Sequence, residues 1–591
     1  MKRIFAFMVC LLMLLAASPV HALSPLNWDG VLTLPEDDGS GYPVTGVSTE
    51  QYQFDSDIEE VVVPENIIRL GSKLFVGCYN LDKITLHDNI QVIGEDCFNG
   101  TAYYDDERSW DQSGVLYIGN CLICADPERI GSEYEIRPGT YLIADGAFRG
   151  CSTLEKVTIP DSVRFVGTDA FADTAVYTDG TRENGILYMD QILIDCTAET
   201  KGEIDIKDGV KTIADSAFMD AVNITAVNCP DSVLYVGQNV FNGCVSLKNA
   251  DINLAEAIGR NVFTGCDNLA VIEVSDDNAF FAVHDGVLLD KEKITAIRCP
   301  QKKAGSIELP DTTKKIAAYS FTGCTELEQV RIPEGVIFIG YEAFKGCGIR
   351  ELVLPDSLEY VASYAFSECH GITQVEIPTD VAYLGACVFL DCNSLQSAEF
   401  GERFGELDSG TFAYCENLES VNIINSLEYD LTYIAGDAFE GTKLIENISN
   451  YRNGMLILND HYLIKVADDV SVCNIPQGVI CIAGSAFGYE DTALRKIKIP
   501  SSVSASVWPA LYFVDSSVKV HYNGTAEEFE DIYGYIDDLN LYTNDLRNTA
   551  LMMCGLLVLT IGFMVGVKVY ESVQTKKECY EENEEVTENE D

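Results

Sequence analysis

A short internal repeat is the feature that most limits how this chain can fold. Across residues 321–415, five phenylalanines lie 23, 22, 23 and 23 residues apart, and a cysteine follows each at a constant distance. Self-similarity at such a period is typical of a solenoid, in which each repeat forms one turn and packs on the next. The chain is therefore predicted to grow by adding turns, not by enlarging a single core. The repeating residues are Phe321, Phe344, Phe366, Phe389 and Phe412, with Cys324, Cys347, Cys369, Cys392 and Cys415.

The repeat can be written L-x-x-V-x-I-P-x-x-V-x-x-I-G-x-x-A-F-x-G-C, and each position suggests a structural role. Alternation in L-x-x-V-x-I predicts a short strand, which Pro ends because it lacks the N–H that a ladder needs. The Gly of I-G is expected to allow a turn with positive φ, and the Gly of G-C a close approach of two backbones. Phe and Cys are expected to fill the core between turns.

This unit resembles the repeat of the BspA-like leucine-rich-repeat surface proteins, over residues 57–500. The resemblance implies a leucine-rich-repeat solenoid, a β-rich fold of short parallel strands stacked in a curved rod. It also implies adhesion to host or neighbouring cells, although a fold alone does not determine a function.

Four longer intervals interrupt the regular spacing of the phenylalanines. Each contains two apolar runs separated by a short polar turn, a pattern that predicts a β-hairpin. We expect these hairpin inserts to project from the solenoid and to break its regularity. The intervals run from Phe98 to Phe148, Phe171 to Phe218, Phe263 to Phe321 and Phe439 to Phe487.

The two ends of the repeat region differ from it in composition. Residues 1–22 have the basic start, apolar run and small-residue cleavage site of a secretory signal peptide. Residues 23–56 are interpreted as an N-terminal cap, and residues 501–547 as a C-terminal cap and stalk. Within the latter, VHYNGTAEEFEDIY predicts a strand followed by an amphipathic helix.

Residues 548–567 are uncharged, mostly apolar and long enough to cross a bilayer as one helix. Lysines follow this run, so the positive-inside rule places the acidic tail, residues 568–591, in the cytoplasm and the repeats outside. The sequence thus predicts a single-pass protein of the cell surface. Gly555, Gly562 and Gly566 offer small-residue packing for a homodimer, although glycine is also common in such helices without that role.

The composition argues against several classes of function. A formal net charge of −54 disfavours nucleic acid and anionic lipid as partners. This charge is consistent with a solvated, self-repelling surface. Alternatively, it indicates an acidic face that binds cations or a basic partner. No hydrolase, zinc-protease or P-loop spacing occurs, and the histidines fall on unrelated phases of the repeat. We therefore expect no enzyme and no cofactor. The histidines concerned are His87, His284, His370, His461 and His521.

The cysteines leave two interpretations open. Of 21 in the chain, 18 lie in residues 23–547, and ten of these sit in or next to the G-C phase. Stacked turns bring such residues within disulfide distance, but parallel stacking makes the dihedral angle unfavourable. Buried free thiols that act as small apolar fillers are favoured over disulfides. Cys121 and Cys124 have C-x-x-C spacing but lie in a predicted strand, where they point to opposite faces, which disfavours a redox or zinc site.

The remaining functional candidate is the outer face of the strands. Residues that flank the central Val point out of the core, and stacking aligns them in columns of the kind that solenoids use to bind partners. The alternative is that they are ordinary solvated strand residues. The candidates are Lys156, Thr158, Gln329, Arg331, Glu351, Val353, Gln374, Glu376, Ser397, Glu399, Ser420 and Asn422.

Together these features predict a membrane-anchored surface protein that binds a protein or glycan on another cell or matrix, as an adhesin does. Two alternatives remain. The chain could be a structural stalk of the envelope without a specific ligand, or a surface receptor that signals through its tail.

Overall fold

A computed structural model describes residues 30–34, 46–401, 405–423, 431–488, 492–504, 508–512, 514–533 and 539–543. The predicted signal peptide 1–22, the membrane span 548–567 with Gly555, Gly562 and Gly566, and the tail 568–591 lie outside these residues. Among the residues described, no helix has the length and apolar character needed to cross a membrane. The chain divides into two compact units, Met1–Ser357 with Glu368–Gly371, and Leu358–Ser367 with Ile372–Asp591.

Both units are β-solenoids of leucine-rich-repeat type, and most of their turns carry two short strands. The first strand of a turn comes from L-x-x-V-x-I and pairs in parallel with its equivalents to form the first row. The second strand, two residues long, precedes the I-G glycine and forms the second row in the same way. The predicted stack of short parallel strands is thereby confirmed.

The strands of the first unit are numbered in chain order. Its first row contains β1 Val31–Thr33, β3 Glu60–Val62, β5 Lys83–Thr85, β9 Glu133–Glu135, β11 Lys156–Thr158, β16 Gly202–Asp205, β18 Ile224–Asn228, β20 Asn249–Asp251, β22 Val271–Glu273, β26 Gly305–Glu308 and β28 Leu327–Arg331. Its second row contains β2 Gly46–Val47, β4 Arg69–Leu70, β6 Val92–Ile93, β10 Leu142–Ile143, β12 Phe165–Val166, β17 Thr212–Ile213, β19 Tyr235–Val236, β21 Ala257–Ile258, β27 Lys315–Ile316 and β29 Phe338–Ile339.

The second unit repeats this arrangement. Its first row contains β31 Gln374–Ile377, β33 Ser397–Phe400, β35 Ser420–Ile423, β39 Val472–Asn474, β41 Lys496–Ile499, β42 Lys519–Tyr522 and β43 Asn540–Thr543. Its second row contains β30 Tyr360–Val361, β32 Tyr383–Leu384, β34 Glu406–Leu407, β36 Tyr433–Ile434 and β40 Cys481–Ile482. The short helices of the whole chain are α1 Ala102–Asp105, α2 Ala175–Thr178, α3 Lys443–Glu446, α4 Trp508–Tyr512 and α5 Ala526–Tyr533, with 3-10 turns at Glu107–Ser109 and Ile448–Asn450.

Four antiparallel hairpins lie in the four long intervals, as predicted. They do not simply project, which corrects the expectation from the sequence. The second strand of each hairpin pairs in parallel with the next strand of the second row and so forms part of the coil. In the first hairpin, residues 115–118 and 121–125, the side chains on both faces are apolar and all but one are buried, so these strands pack inside the coil. The hairpins are β7 Val115–Ile118 with β8 Cys121–Ala125, β14 Ile186–Met189 with β15 Ile192–Cys196 (flanked by β13 Arg182–Glu183), β24 Val287–Asp290 with β25 Thr295–Arg298 (flanked by β23 Phe281–His284), and β37 Met455–Leu458 with β38 Tyr462–Val466.

After three of the hairpins, the next turn forms a backbone hydrogen bond to the turn that precedes the hairpin. The backbone N–H of Asp145 donates to the carbonyl of Ile93, at 3.0 Å, across a hairpin of the first unit. Asp215 donates to Val166 in the same way, at 2.8 Å. In the second unit, Gly484 donates to Ile434 at 2.9 Å. The coil therefore closes over the inserted hairpin on the side of the second row.

Phenylalanine rings form the centre of the core, as the repeat predicts. In the first unit, Phe241 stacks between Phe218 and Phe263, with ring centroids 5.5 and 5.6 Å apart. In the second unit, Phe389 stacks between Phe366 and Phe412, at 5.5 Å on each side. These rings are at most 3% exposed, so each closes the space between one turn and the next.

The cysteines of the repeat are buried free thiols. None of the eighteen cysteines among the described residues forms a disulfide, and sixteen of them are buried. Five of the phased thiols donate to the carbonyl of the phenylalanine one turn earlier, for example at 3.0 Å from Cys244 to Phe218 and 3.1 Å from Cys392 to Phe366. The prediction of apolar fillers is confirmed, and each of these five thiols also satisfies a buried carbonyl.

The two glycines of the repeat have exchanged the roles expected from the sequence. Gly340, in I-G, does not have positive φ; a Cβ there would lie 2.5 Å from the backbone nitrogen of Ala318 in the preceding turn. Gly346, in G-C, has φ of +64° and open space where its Cβ would be. The first glycine therefore allows close approach of two backbones, and the second supplies the left-handed turn.

The C-terminal segment adds two strands to the first row of the second unit. β41, β42 and β43 pair in parallel, so the ladder continues past Pro500 to Thr543. The predicted strand and helix are confirmed as β42 and α5. The helix starts with a capping box, in which Thr525 Oγ1 accepts from Glu528 N–H at 3.2 Å and Glu528 Oε2 accepts from Thr525 N–H at 2.8 Å.

Candidate functional site

The strand face is the set of residues that point outward from the first row on either side of the buried central residue. Because the strands pair in register one turn apart, these residues stand in two columns. The structure places all twelve predicted residues in these columns. Eleven of them are exposed, and Ser397 is half-buried.

The twelve residues do not form one continuous site. In the first unit, Gln329 and Arg331 on β28 lie beside Glu351 and Val353, through a bridge between Gln329 and Glu351. Lys156 and Thr158, on β11, pair instead with β9 in a separate sheet. In the second unit β31, β33 and β35 are adjacent, which aligns Gln374, Ser397 and Ser420 in one column and Glu376, Glu399 and Asn422 in the other.

Hydrogen bonds between turns fix several of these side chains. The Gln329 amide donates to Glu351 Oε2 at 3.1 Å in the first unit. The Asn422 amide donates to Glu399 Oε1, also at 3.1 Å, in the second unit. Such contacts hold the polar groups in place before any partner arrives, so fewer side chains have to be ordered on binding.

The cations of the strand face in the first unit are each opposite a carboxylate. The distance is 2.5 Å from Lys83 to Glu60, and 2.8 Å from Arg331 to Glu308. Lys156 lies 3.5 Å from Glu133. In each pair the carboxylate occupies the register position directly opposite on the preceding strand. The positive charges of this face are therefore locally balanced.

The last three strands of the second unit have a different character. Lys496 lies opposite Lys519, and Lys498 lies opposite His521. Tyr542 follows His521 on β43, and their rings stack with centroids 4.7 Å apart and planes at 11°. We call these five residues the basic face.

No carboxylate balances the basic face within the described part of the chain, where none of its three lysines forms an ion pair. Partial burial, together with the positive charges of Lys496, Lys498 and Lys519, lowers the pKa of His521. A lowered pKa keeps the imidazole neutral at pH 7 and reflects the local positive potential that the lysines create.

Reasoning from the sequence missed this face, although the repeat contains the signal for it. Residues 494–500 read LRKIKIP, which fits L-x-x-V-x-I-P with lysine at both outward positions. The strand that follows, KVHY, places Lys519 and His521 at the same two positions. Following the same outward positions past Asn422, to residues 494–500 and 519–522, would have identified the basic face.

Small cavities occur where a hairpin replaces a regular turn. One of about 250 Å³ in the second unit is lined by Phe439, Glu440, Ile445, Lys465 and Ser485, among others. Burial, with a smaller contribution from Asp437, raises the pKa of Glu440 there. Neither this cavity nor an equivalent one of about 40 Å³ in the first unit brings a nucleophile together with a histidine.

The described residues contain no group of three or more His, Cys, Asp or Glu side chains placed to hold a metal ion. Burial raises the pKa of Cys121 and of Cys124 to about 12, so neither thiol of the C-x-x-C pair is ionised at neutral pH. The absence of an enzymatic activity and of a cofactor stays a prediction from the sequence.

Comparison with known families gives a match over most of the chain. The family model described as the BspA type leucine rich repeat region matches in six copies, at residues 45–106, 131–198, 195–303, 292–419, 337–462 and 388–518. A search of curated protein sequences gave no match.

Several solved structures are similar to this chain at low sequence identity. A leucine rich cell surface protein from Faecalibacterium prausnitzii A2-165 has 20% identity and a TM-score of 0.38, with 68% of this chain and 89% of that chain covered. A leucine-rich repeat protein from Eubacterium ventriosum has 18% identity, a TM-score of 0.34 and coverages of 79% and 92%. The pneumococcal vaccine antigen PcpA has 16% identity, a TM-score of 0.27 and coverages of 89% and 91%.

Proposed function

The chain belongs to the BspA-type leucine-rich-repeat family, and we propose that it is a surface-displayed binding protein that takes a macromolecular partner on its strand face. The partner is a protein or glycan of another cell or of the surrounding matrix. The predicted signal peptide and membrane span support display outside the cell, with the acidic tail inside.

One observation carries this proposal. On β31, β33 and β35, in-register pairing aligns outward polar side chains in two columns that the backbone ladder holds in place. Extended, pre-ordered surfaces of this kind are how solenoids bind large partners. The small cavities offer much less contact area than these columns.

The proposal is tested with the full chain expressed on cells. Protease treatment of intact cells should release fragments of the repeat region, and the cells should bind saturably to other cells or to matrix preparations. A variant with Glu376→Lys and Glu399→Lys should lose this binding, because it reverses two charges in one column.

The matched control carries Glu416→Lys and Asp469→Lys, two exposed residues of the same unit outside the first row. It makes the same change in net charge and should bind like the unmodified chain. Equal loss in both variants would mean that net charge, not the strand face, governs binding. Display without any saturable binding would support a structural stalk. Loss of a cellular response to the bound partner on deletion of residues 568–591, with binding itself retained, would support a receptor role for the tail.

A further inference from the structure

The basic face differs from the other places on the strand face where a cation occurs, although carboxylates also oppose each other at Asp251 and Glu273 and at Glu376 and Glu399. In the first unit the strand-face cations Lys83, Lys156 and Arg331 each face a carboxylate one strand earlier. In the second unit Lys496 faces Lys519 directly. Like charges at directly opposed positions destabilise a sheet, so this arrangement costs folding free energy.

Chance is a poor explanation for the unpaired lysines. The chain has 93 acidic and only 39 basic residues, so three lysines grouped on two adjacent strands with no carboxylate among them run against its overall composition. Features that reduce stability without a folding reason are concentrated at sites of function. The basic face is therefore a site for a ligand that supplies the missing negative charge.

The shape of the face restricts that ligand. Lys496, Lys498, Lys519 and His521 stand at the corners of a small quadrilateral, about 5 Å across the strands and about 7 Å along them. Tyr542, with 43% of its surface exposed, adjoins His521 at one side. Three lysines beside a neutral imidazole and an accessible aromatic ring suit a ligand that alternates anionic groups with apolar ring faces.

We propose that the basic face binds a linear acidic polysaccharide, one whose sugars carry carboxylate or sulfate groups. The three lysines contact the anionic groups, and the Tyr542 ring packs on the apolar face of a sugar ring. This inference rests on the proposed function, since it names the chemistry of one partner of the strand face.

The overall charge of the protein favours a thin polymer over a membrane as the ligand. An anionic bilayer would extend under much of the unit and would repel a chain with a net charge of −54. A single polysaccharide strand contacts only the basic face, and the acidic residues farther away are screened beyond about 8 Å at physiological ionic strength.

The experiment uses the full chain in a non-ionic detergent, with heparin and hyaluronate as probes and uncharged dextran as the reference. The unmodified chain should bind both acidic polymers and not dextran, and binding should weaken as salt is added. The variant Lys496→Gln, Lys498→Gln, Lys519→Gln should bind heparin at least tenfold more weakly. Tyr542→Ala should weaken binding severalfold, although it changes no charge.

The matched control is Lys83→Gln, Lys156→Gln, Arg331→Gln, which removes three paired cations from the same kind of face and should change affinity less than twofold. Thermal unfolding of each variant checks the fold. Because Lys498 and Lys519 are the more exposed lysines, Lys498→Gln, Lys519→Gln provides a second test if the triple variant is unstable.

Three results would overturn the inference: no binding of either acidic polymer, equal weakening by the basic-face variant and its control, or binding of phosphatidylglycerol vesicles without polysaccharide binding. The cell-binding variants Glu376→Lys and Glu399→Lys lie outside the basic face. If the purified chain binds polymer through its basic face but the displayed chain gives no saturable binding to cells or matrix, the proposed function fails while this inference stands. If the reverse holds, only this inference fails.

Discussion

Lys496 lies directly opposite Lys519 on adjacent parallel strands, at a register position where Glu60 meets Lys83 earlier in the chain. The backbone arrangement is the same in the two places, and only the charge of one side chain differs. This allows the energetic cost and the binding role of the basic face to be separated by one substitution.

Lys519→Glu should make the protein more stable and its polysaccharide binding weaker. The substitution places a carboxylate opposite a lysine, as at Glu60 and Lys83 but with the strand order reversed, which should raise the free energy of unfolding by about 0.2–1 kcal/mol. Urea unfolding gives the first quantity and heparin titration the second. Lys519→Gln serves as the control, because it removes the repulsion without creating a pair. A more stable variant that binds heparin normally would exclude a ligand role for Lys519.

Phe366→Ala should destabilise the second unit without touching the strand face. The ring is fully buried and stacks on Phe389, so its loss leaves a cavity that costs about 3–5 kcal/mol. Urea unfolding should show this loss, whereas Ser420→Ala, on the exposed columns, should change stability by about 0.5 kcal/mol or less. If Phe366→Ala abolished cell binding in a protein that stays folded, the division between core and binding residues would be wrong.

Asp145→Asn should stabilise the first unit more at high pH than at low pH. Burial raises the pKa of Asp145 to about 6 from an ordinary value of 3.8, while its carboxylate accepts from Thr168 N–H at 2.9 Å. The folded state therefore has its full stability with respect to Asp145 below pH 3.8, where the carboxyl is protonated in both states. It loses stability as the pH rises through 6, because the buried carboxyl resists ionisation.

Asparagine keeps the acceptor without the charge, so the gain should reach about 2–3 kcal/mol at pH 7.5 and be about 1 kcal/mol smaller at pH 5. Thermal unfolding at the two pH values measures it, with Asp208→Asn, at an exposed position of the same unit, as the control. A gain that does not depend on pH would show that Asp145 is not titrating in the folded chain.

The phased thiols should resist alkylation until the coil unfolds. Burial raises the pKa of Cys369 to about 12, and the thiol donates to the Phe344 carbonyl at 3.0 Å. Iodoacetamide at pH 8, followed by mass-spectrometric mapping, should label Cys369, Cys392 and Cys415 only in denaturant. Disulfide-linked peptides in the native digest, or labelling at the same rate in both states, would contradict this.

The sequence determines the repetitive part of the fold because one period carries strand, turn and core positions together. Phe366 and Cys392 could be assigned to the interior from their phase alone. The roles of Gly340 and Gly346 could not, since both a close contact and a positive φ select glycine. The hairpins could be predicted from the sequence. Whether a hairpin strand projects or is buried inside the coil could not, because this depends on which strand it pairs with.

The candidate site was predictable only in part. Alternation shows which side chains point outward, and the twelve proposed residues do so. It does not show which turns are adjacent in one sheet, and the hairpins separate Lys156 from Gln329 for that reason. The basic face at Lys496 and Lys519 needs the register, because a lysine is distinctive only when the residue opposite it is known.

The bonds from Cys244 and Cys392 to the carbonyls of the preceding turns have a consequence for how the protein matures. Within the described residues no turn depends on a covalent crosslink, so folding of the coil consumes no oxidant. Such a coil can assemble in an anaerobic setting, and a reducing agent leaves its architecture intact.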